Sequence, residues 1–263
     1  MDLTATTGYV PGFTTELNLR ELGGLPTCDG RHVRRGLFFR GSALAGLSED
    51  ELARVDAFGL RYLLDLRAAG EASGAPDHVP EGCTYERVGG MRFEDGSEVD
   101  FSPEAIARFE REAPEALADG TFMERFYVSM AFGNPAMHAL VEHVTAGVVP
   151  VYFHCTAGKD RTGVAALMLG LILGITRESL TTDFLLTNEY RRSIIESVAD
   201  RMPPDTPPEI IERWQRANGV DRSDLDAVYD AIEDRFGTVE AYLQGEYGLD
   251  ASDLAILRDR YLE

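Results

Sequence analysis

The sequence predicts an α/β fold in which a central, mostly parallel sheet is flanked by helices and followed by a helical elaboration towards the C-terminal end. The apolar, β-branched run 149–153 indicates a buried strand, and a polar loop joins it to the apolar run 163–173, which is typical of a buried helix. Beyond residue 180 the chain is acidic and its apolar residues recur at helical spacing. The length suits one domain, which we place at 1–263.

Short strands and helices are predicted to alternate before residue 149. Their order is a strand from residue 37, a helix at 48–57, strands at 59–65 and 84–88, an irregular segment at 89–103, and two or three helices. Ser48 and Glu51 support the first helix, because a serine followed three residues later by glutamate is the pattern of a capping box.

The chain after the apolar helix is predicted to be helical with one sharp break. Residues 180–198 carry apolar side chains at helical spacing. The proline-rich segment 202–208 ends this helix, because proline cannot continue the backbone hydrogen-bond ladder. A second amphipathic helix is predicted to begin near Ile210, Ile211 and Trp214.

The net charge of −20 excludes several classes of function. An acidic surface repels nucleic acids and anionic membranes, so phosphate groups could bind only in a local basic pocket. No apolar run reaches membrane-spanning length, and the N-terminus has no basic, apolar signal peptide, so a cytoplasmic protein is the default expectation. Cys28, Cys83 and Cys155 lack metal-site spacing, and neither a metal nor another cofactor is predicted. The oligomeric state stays open.

The most informative stretch is residues 154–163, His-Cys-Thr-Ala-Gly-Lys-Asp-Arg-Thr-Gly. A loop between a strand and a helix N-terminus is a ready anion cradle, since its N–H groups converge and the helix dipole adds positive charge. In that field the pKa of Cys155 would fall below the ordinary thiol value of about 8.5, and the thiolate could attack phosphorus. Arg161, six positions later, could hold two phosphoryl oxygens in a bidentate fork.

The remaining loop residues have predicted supporting roles. Thr162 could donate its hydroxyl hydrogen to the thiolate, and His154 is expected to orient the cysteine and the loop. Lys159 is the only lysine of the chain, which suggests a compact charge that reaches a second phosphate or another anionic group. The substrate-binding set is predicted to be Thr156, Ala157, Gly158, Lys159, Thr162 and Gly163.

This loop resembles the phosphate-binding loop of the cysteine-dependent protein tyrosine phosphatases, and more narrowly that of bacterial tyrosine/serine phosphatases with mycobacterial members. Other segments resemble the same family: 18–24 with Arg20, 37–42, Asp65-Leu66-Arg67 with Glu71, and the tail at 236–243. The resemblance covers nearly the whole chain and implies a phosphatase-like fold. It also implies a helical lid over the active site at 180–220, although an ordinary helical hairpin would show the same periodicity.

The general acid has three candidate positions. Asp160 lies inside the loop, where lipid phosphatases of the myotubularin type place an acid. Asp95 and Asp100 lie in the irregular segment where the resembled bacterial enzymes carry theirs, but residues 92–96 depart from the Pro-Phe-x-Asp pattern. Asp65 is the third, with Arg67 beside it; both are expected near the loop because strand carboxyl ends face the site, and pairing with a loop arginine is an alternative role for Asp65. We favour Asp160, narrowly ahead of Asp95.

The predicted function is hydrolysis of phosphotyrosine in proteins, with dual specificity towards phosphoserine and phosphothreonine, through a phosphocysteine intermediate. Phosphoinositides are an alternative substrate for the same mechanism. A non-catalytic phospho-binding domain and a rhodanese-like sulfurtransferase are alternatives from other classes. Oxidation of Cys155, or its pairing with Cys28 or Cys83, would be regulation. Some relatives leave the cell without a cleaved signal, so export is compatible with the resemblance.

Overall fold

The computed structural model describes residues 2–93, 95–102, 105, 108 and 122–263, and a five-stranded sheet forms their central layer. The strands are β1 (Arg20–Glu21), β2 (Phe38–Gly41), β3 (Tyr62–Asp65), β4 (Thr84–Arg87) and β5 (Val151–His154). Their order across the sheet is β1-β2-β5-β3-β4, and only β1 is antiparallel to its neighbour. The predicted mostly parallel α/β sheet is therefore confirmed.

Helices surround this sheet. Among the described residues the α-helices are α1 (Glu49–Ala57), α2 (Ala69–Gly74), α3 (Phe122–Met130), α4 (Pro135–Thr145), α5 (Asp160–Leu173), α6 (Arg177–Tyr190), α7 (Arg192–Glu196), α8 (Val198–Arg201), α9 (Pro208–Asn218), α10 (Arg222–Phe236), α11 (Val239–Tyr247) and α12 (Ala251–Tyr261). The predicted capping box of α1 is present, with the Glu51 side chain accepting from the Ser48 N–H and the Ser48 hydroxyl accepting from the Glu51 N–H. No helix in these described segments is both long and apolar enough to cross a bilayer.

The core is built around β5 and α5. Every α5 residue from Arg161 to Leu173 is buried, as expected of a helix that is apolar on all sides. Helices α3, α4, α6 and α12 pack against it. Its first turn lies at the carboxyl ends of the parallel strands, because β5 pairs in register with both β2 and β3, with Gly41 and Asp65 opposite His154.

The segment 180–220 divides into a buried part and an exposed part. Helix α6 belongs to the core, with seven of its residues buried. Helix α9 has no buried residue and contacts α7 and α8. The proline-rich segment breaks the helical chain as predicted, since α8 ends at Arg201 and α9 begins at Pro208. The stretch 180–198 is not one helix, however, because α6 ends at Tyr190 and the short helices α7 and α8 follow it. Motion of this segment as a lid stays a prediction.

Candidate active site

The loop between β5 and α5 is pressed against the end of β2. Gly158 has a φ of 66°, and a Cβ there would lie 2.3 Å from the carbonyl carbon of Gly41, so only glycine fits. The Gly158 carbonyl accepts from Asn18 Nδ2 at 2.9 Å and from Arg40 Nη2 at 3.0 Å. Asn18 Nδ2 also lies 3.4 Å from the Ala157 carbonyl oxygen. The loop is therefore held by its carbonyl oxygens.

The loop amides remain available for an anion. The N–H groups of Thr156, Ala157 and Gly158 donate no hydrogen bond to any residue that the structure describes. Gly163, in the first turn of α5, lets the Phe184 ring approach, since a Cβ would lie 2.8 Å from that ring. Free amides next to a helix N-terminus form an anion site through their hydrogens and the helix dipole.

Cys155 lies in this cradle and is 2% exposed. Burial by itself would raise the pKa of its thiol, but the charge of Arg161 and a hydrogen bond from Thr162 outweigh burial and lower the pKa. The Thr162 hydroxyl oxygen is buried and has no hydrogen-bond partner at standard distance and angle among the described residues, so it is free to turn towards the thiolate. A lowered pKa enlarges the thiolate fraction, and the thiolate is the nucleophilic form.

Arg161 is clamped by Glu71 from α2. Its Nη1 and Nη2 donate to the two Glu71 carboxylate oxygens at 2.7 and 2.8 Å, and the ring of Phe101 lies 4.8 Å from its guanidinium carbon. Glu71 also accepts from the hydroxyl of Thr156, so one carboxylate holds both ends of the loop. A further bond from Nη1 to the Leu66 carbonyl, at 3.3 Å, leaves the Nε–H and one Nη2–H unused.

Asp160 begins α5 next to the nucleophile loop. Its Oδ1 accepts from the Tyr127 hydroxyl at 2.6 Å, and its Oδ2 lies 3.3 Å from Lys159 Nζ. The carboxyl group is thereby oriented by α3 on one side and by the loop on the other. Of the predicted general acids, Asp160 is the one whose chain position places it inside the loop–helix junction.

Lys159 does not point at a free anion site. Its Nζ donates to the carbonyl oxygens of Ala217 and Gly219, at 2.6 and 3.2 Å, and lies beside Asp160. These three oxygen partners account for all three N–H donors of an ammonium group. Lys159 therefore joins the loop to the end of α9, and its contact with a second phosphate stays a prediction.

Asp65 and His154 belong to a buried ion-pair network beneath the loop. Arg67 donates to both oxygens of Asp65 at 2.8 Å and also contacts Asp77, and the Tyr85 hydroxyl donates to Asp65 at 2.8 Å. Burial would raise the pKa of Asp65, but the bonds from Arg67 outweigh it and lower the pKa to about 2. An acid that is held ionised in this way is a support for the strand end rather than a proton donor.

His154 connects this network to the nucleophile. Its Nδ1 lies 3.2 Å from the Cys155 carbonyl oxygen, and its Nε2 lies 3.4 Å from Asp77. Burial would lower the pKa of His154, but the bond to Asp77 and the charge of that carboxylate raise it. Asp65, Asp77 and His154 come close enough together to suggest a metal site, yet Arg67 already forms ion pairs with both carboxylates.

A second buried network supports the other side of the loop. Asp183 from α6 accepts from Arg20 Nε and from Arg40 Nη1, both at 2.6 Å, and Arg20 Nη1 donates to the Asn18 carbonyl oxygen at 3.0 Å. Burial and the charge of Arg20 lower the pKa of Arg40 to about 10, although Asp183 opposes this. The network ties β1, β2 and α6 to the carbonyl of Gly158.

Comparison with known proteins places the chain in a family. The model of the tyrosine phosphatase family matches residues 12–263. The chain belongs to the tyrosine phosphatase family. A Cupriavidus necator protein named as a tyrosine-protein phosphatase is 30% identical over 255 residues, which cover 95% of this chain and 87% of that protein. The triple specificity protein phosphatase PtpB of Mycobacterium tuberculosis is 27% identical, over 86% and 90% of the two chains.

A third named relative is also a tyrosine phosphatase. A tyrosine-protein phosphatase of Nostoc commune is 24% identical over 89% of this chain and 77% of its own. The family and its named relatives make this chain a tyrosine phosphatase, and a cysteine nucleophile is consistent with that family. The resemblance inferred from the loop is confirmed.

Asp95 and Asp100, the candidate acids of the irregular segment, make local hydrogen bonds in the phosphatase, and their role as proton donor stays a prediction. Asp95 is exposed, and its Oδ1 accepts from the N–H and hydroxyl of Ser97. No hydrogen bond or ion pair joins Asp95 to the loop within the described part of the chain. Asp100 accepts from Ser102 instead. Glu94 lies outside the described residues.

Three supporting carboxylates of the phosphatase were not among the predicted site residues. Glu71 was noticed only as part of a resembled segment, and its spacing from Arg67 was the available signal. Asp77 and Asp183 had no signal in the sequence, since nothing in their local pattern separates them from surface acids. Each pairs with a buried arginine.

Proposed function

We propose that this phosphatase hydrolyses phosphotyrosine in proteins, together with phosphoserine or phosphothreonine, through a phosphocysteine intermediate. One observation carries the proposal: a buried cysteine with a lowered pKa lies beside an arginine whose orientation Glu71 sets. The two unused N–H groups of Arg161 and the free loop amides together suit the three non-bridging oxygens of a phosphoryl group. The double specificity is in keeping with the name of the mycobacterial relative.

The reaction then has two steps. The Cys155 thiolate attacks phosphorus, an S–P bond forms, and the bond from phosphorus to the tyrosine oxygen breaks as Asp160 gives that oxygen its proton. Water next attacks the phosphocysteine while Asp160 accepts a proton. The S–P bond breaks, inorganic phosphate leaves, and the hydroxyl of Thr162 stabilises the returning thiolate.

Replacement of the nucleophile tests the covalent step. The C155S variant should lose at least about a thousandfold in kcat on a phosphotyrosine peptide. C28S is the matched control, because Cys28 is an exposed free thiol and its loss should leave the rate intact. Acid quenching of the wild type during turnover should trap a phosphoryl group on the peptide that contains Cys155. A C155S enzyme that kept a sizeable part of the rate would end the covalent mechanism.

The dependence on the leaving group tests Asp160. In D160N, kcat should fall about a hundredfold on phenyl phosphate but much less on p-nitrophenyl phosphate, whose leaving oxygen needs little protonation. D95N is the control, and it should behave like the wild type on both substrates. If D95N shows the selective loss and D160N does not, the proton donor is Asp95.

Phosphoproteins rank ahead of the phosphoinositide alternative. That alternative rested on Lys159 as a free cation, whereas its ammonium is engaged by Ala217, Gly219 and Asp160. A net charge of −20 also disfavours approach to an anionic membrane. A cytoplasmic location stays a prediction. A module that only bound phosphate would not need the Cys155 thiol with its lowered pKa, and the long loop with Arg161 suits a tetrahedral oxyanion better than the sulfur transfer of a rhodanese-like domain.

A further inference from the structure

Arg191, between α6 and α7, differs from the other buried arginines of the described chain. Five arginines there are buried, and four are ion-paired with carboxylates: Arg20 and Arg40 with Asp183, Arg67 with Asp65, and Arg161 with Glu71. Arg191 is 8% exposed, its Nε has no partner, and its guanidinium forms no hydrogen bond or ion pair with any described residue. An unpaired buried charge costs several kcal/mol, so a chain retains one where a ligand supplies the counter-charge.

The guanidinium lies in the electric field of the catalytic loop. Burial lowers the pKa of Arg191, and the charges of Cys155, Asp160 and Glu16 oppose that effect. Glu16 acts on Arg191 only through its charge, since its carboxylate accepts from the Ser193 hydroxyl at 2.7 Å and forms no hydrogen bond or ion pair with the guanidinium. The backbone N–H of Arg191 donates to the Thr187 carbonyl oxygen, so α6 fixes where the side chain starts. An anion that reaches the loop therefore comes close to a cation that still lacks a partner.

The sequence suggested that Lys159 reaches a second anion, and Arg191 is better placed for that role. The three donors of Lys159 are used within the protein. None of the five N–H donors in the planar fork of Arg191 is used by a residue that the structure describes, and such a fork matches the oxygens of a phosphate or carboxylate in a bidentate manner.

We propose that Arg191 binds a second anionic group of the substrate, namely a phosphorylated or carboxylate side chain close to the phosphotyrosine of a peptide. The inference rests on the proposed phosphotyrosine hydrolysis. A peptide is favoured over a membrane for an electrostatic reason. Arg191 attracts a single flanking anion at short range, whereas the net charge of −20 repels an extended anionic surface. Arg191 is thus a specificity residue next to the site of cleavage.

Paired phosphopeptides test this role. One peptide carries phosphotyrosine alone, and a matched series adds a phosphoserine at each position from two before to two after it. The measured quantity is the ratio of kcat/KM for the doubly phosphorylated peptide to that for the singly phosphorylated one. In the wild type the best spacing should give a ratio of about ten or more, expressed mainly in KM. In R191M the ratio should fall close to one, and R191K should lie between.

R192M is the matched control, because Arg192 is the next residue, is half exposed and pairs with Glu189. It removes the same net charge, so its ratio should equal that of the wild type. A ratio that is the same in the wild type, R191M and R192M would overturn the inference while hydrolysis of the single phosphate upholds the proposed function. If R191M lowered kcat/KM only for a soluble inositol bisphosphate and left the phosphopeptide ratio unchanged, the peptide assignment would also be overturned. No hydrolysis of any phosphopeptide by the wild type would instead refute the proposed function. R191K keeps the test usable if R191M does not fold.

Discussion

Arg161 divides the five N–H groups of its guanidinium between the protein and the substrate. Three are used by Glu71 and the Leu66 carbonyl, and these fix the plane of the group before substrate arrives. Burial would lower the pKa of Arg161, but the charge of Cys155 and the bonds to Glu71 raise it, so the side chain stays charged. A preorganised cation of this kind stabilises the transition state without reorganising during the reaction.

R161K should therefore lose most of the activity although it keeps the charge. One ammonium cannot bind Glu71 and still offer two parallel donors to phosphoryl oxygens, so we expect kcat to fall about a hundredfold or more. Steady-state kinetics on a phosphotyrosine peptide measure the loss. R177K is the control, since Arg177, the first residue of α6, is half exposed and pairs with Asp226 of α10. Near-normal kcat in R161K would remove Arg161 from the transition state.

The start of α10 brings a further buried acid, Asp224, close to the loop. Asp224 occupies the third position of the helix, where its side chain accepts from the Asp221 N–H at 2.9 Å. Burial raises the pKa of Asp224 to about 6, and the charge of Asp160 adds to this effect. The raised pKa means that the ionised form is disfavoured in the folded protein.

D224N should stabilise the phosphatase at alkaline pH. The stability contributed by a group with a raised pKa is fully present below its unfolded value of 3.8 and is lost as pH rises through the folded value of about 6. Asparagine avoids that loss and still accepts the Asp221 bond, so the free energy of unfolding should gain about 1–2 kcal/mol at pH 8 and nothing below about pH 4. Urea titrations at several pH values measure it.

Asp226 on the same helix is a control of opposite sign. The bond from Arg177 lowers the pKa of Asp226 despite slight burial. D226N should therefore lower stability at neutral pH, and the difference should fade as acid protonates the native side chain. If D224N is less stable than the wild type at every pH, the hydrogen bond by which Asp224 caps α10 contributes more than the cost of ionising its buried carboxyl group.

Two electric fields of opposite sign act on a substrate. The whole chain carries −20 and repels an anionic phosphopeptide at long range, whereas Arg161 and the α5 N-terminus attract it at short range. Salt screens distant charges far more than buried ones, since the Debye length falls from about 30 Å at 0.01 M to about 8 Å at 0.15 M. The balance between the two fields should therefore shift with ionic strength.

We expect kcat/KM on an acidic phosphopeptide to rise severalfold between about 0.01 and 0.15 M salt, mainly through KM. The small dianion p-nitrophenyl phosphate carries less charge and should change less. Initial rates with a non-binding salt such as sodium chloride measure both. A steady fall of kcat/KM with salt for the peptide would show that the local field controls the approach.

Short windows of the sequence were enough to predict the sheet class, the strand–loop–helix unit and the phosphate-binding character of residues 154–163. These are local properties: periodic burial, the capping box at Ser48 and Glu51, and the six-residue spacing from Cys155 to Arg161 are all contained in short windows. The family followed from the same windows, because the loop string is distinctive.

Only the tertiary structure decided which carboxylate holds which arginine. Glu71 stands 90 positions before Arg161, and Asp183 stands 163 positions after Arg20, so no local pattern encodes these pairs. The same holds for Lys159, whose ammonium is bound by the end of α9, and for Arg191, which is buried without a partner. The hydrogen-bond partners of buried charges depend on which distant segments pack together in the folded chain, and this packing decides what each cation contacts.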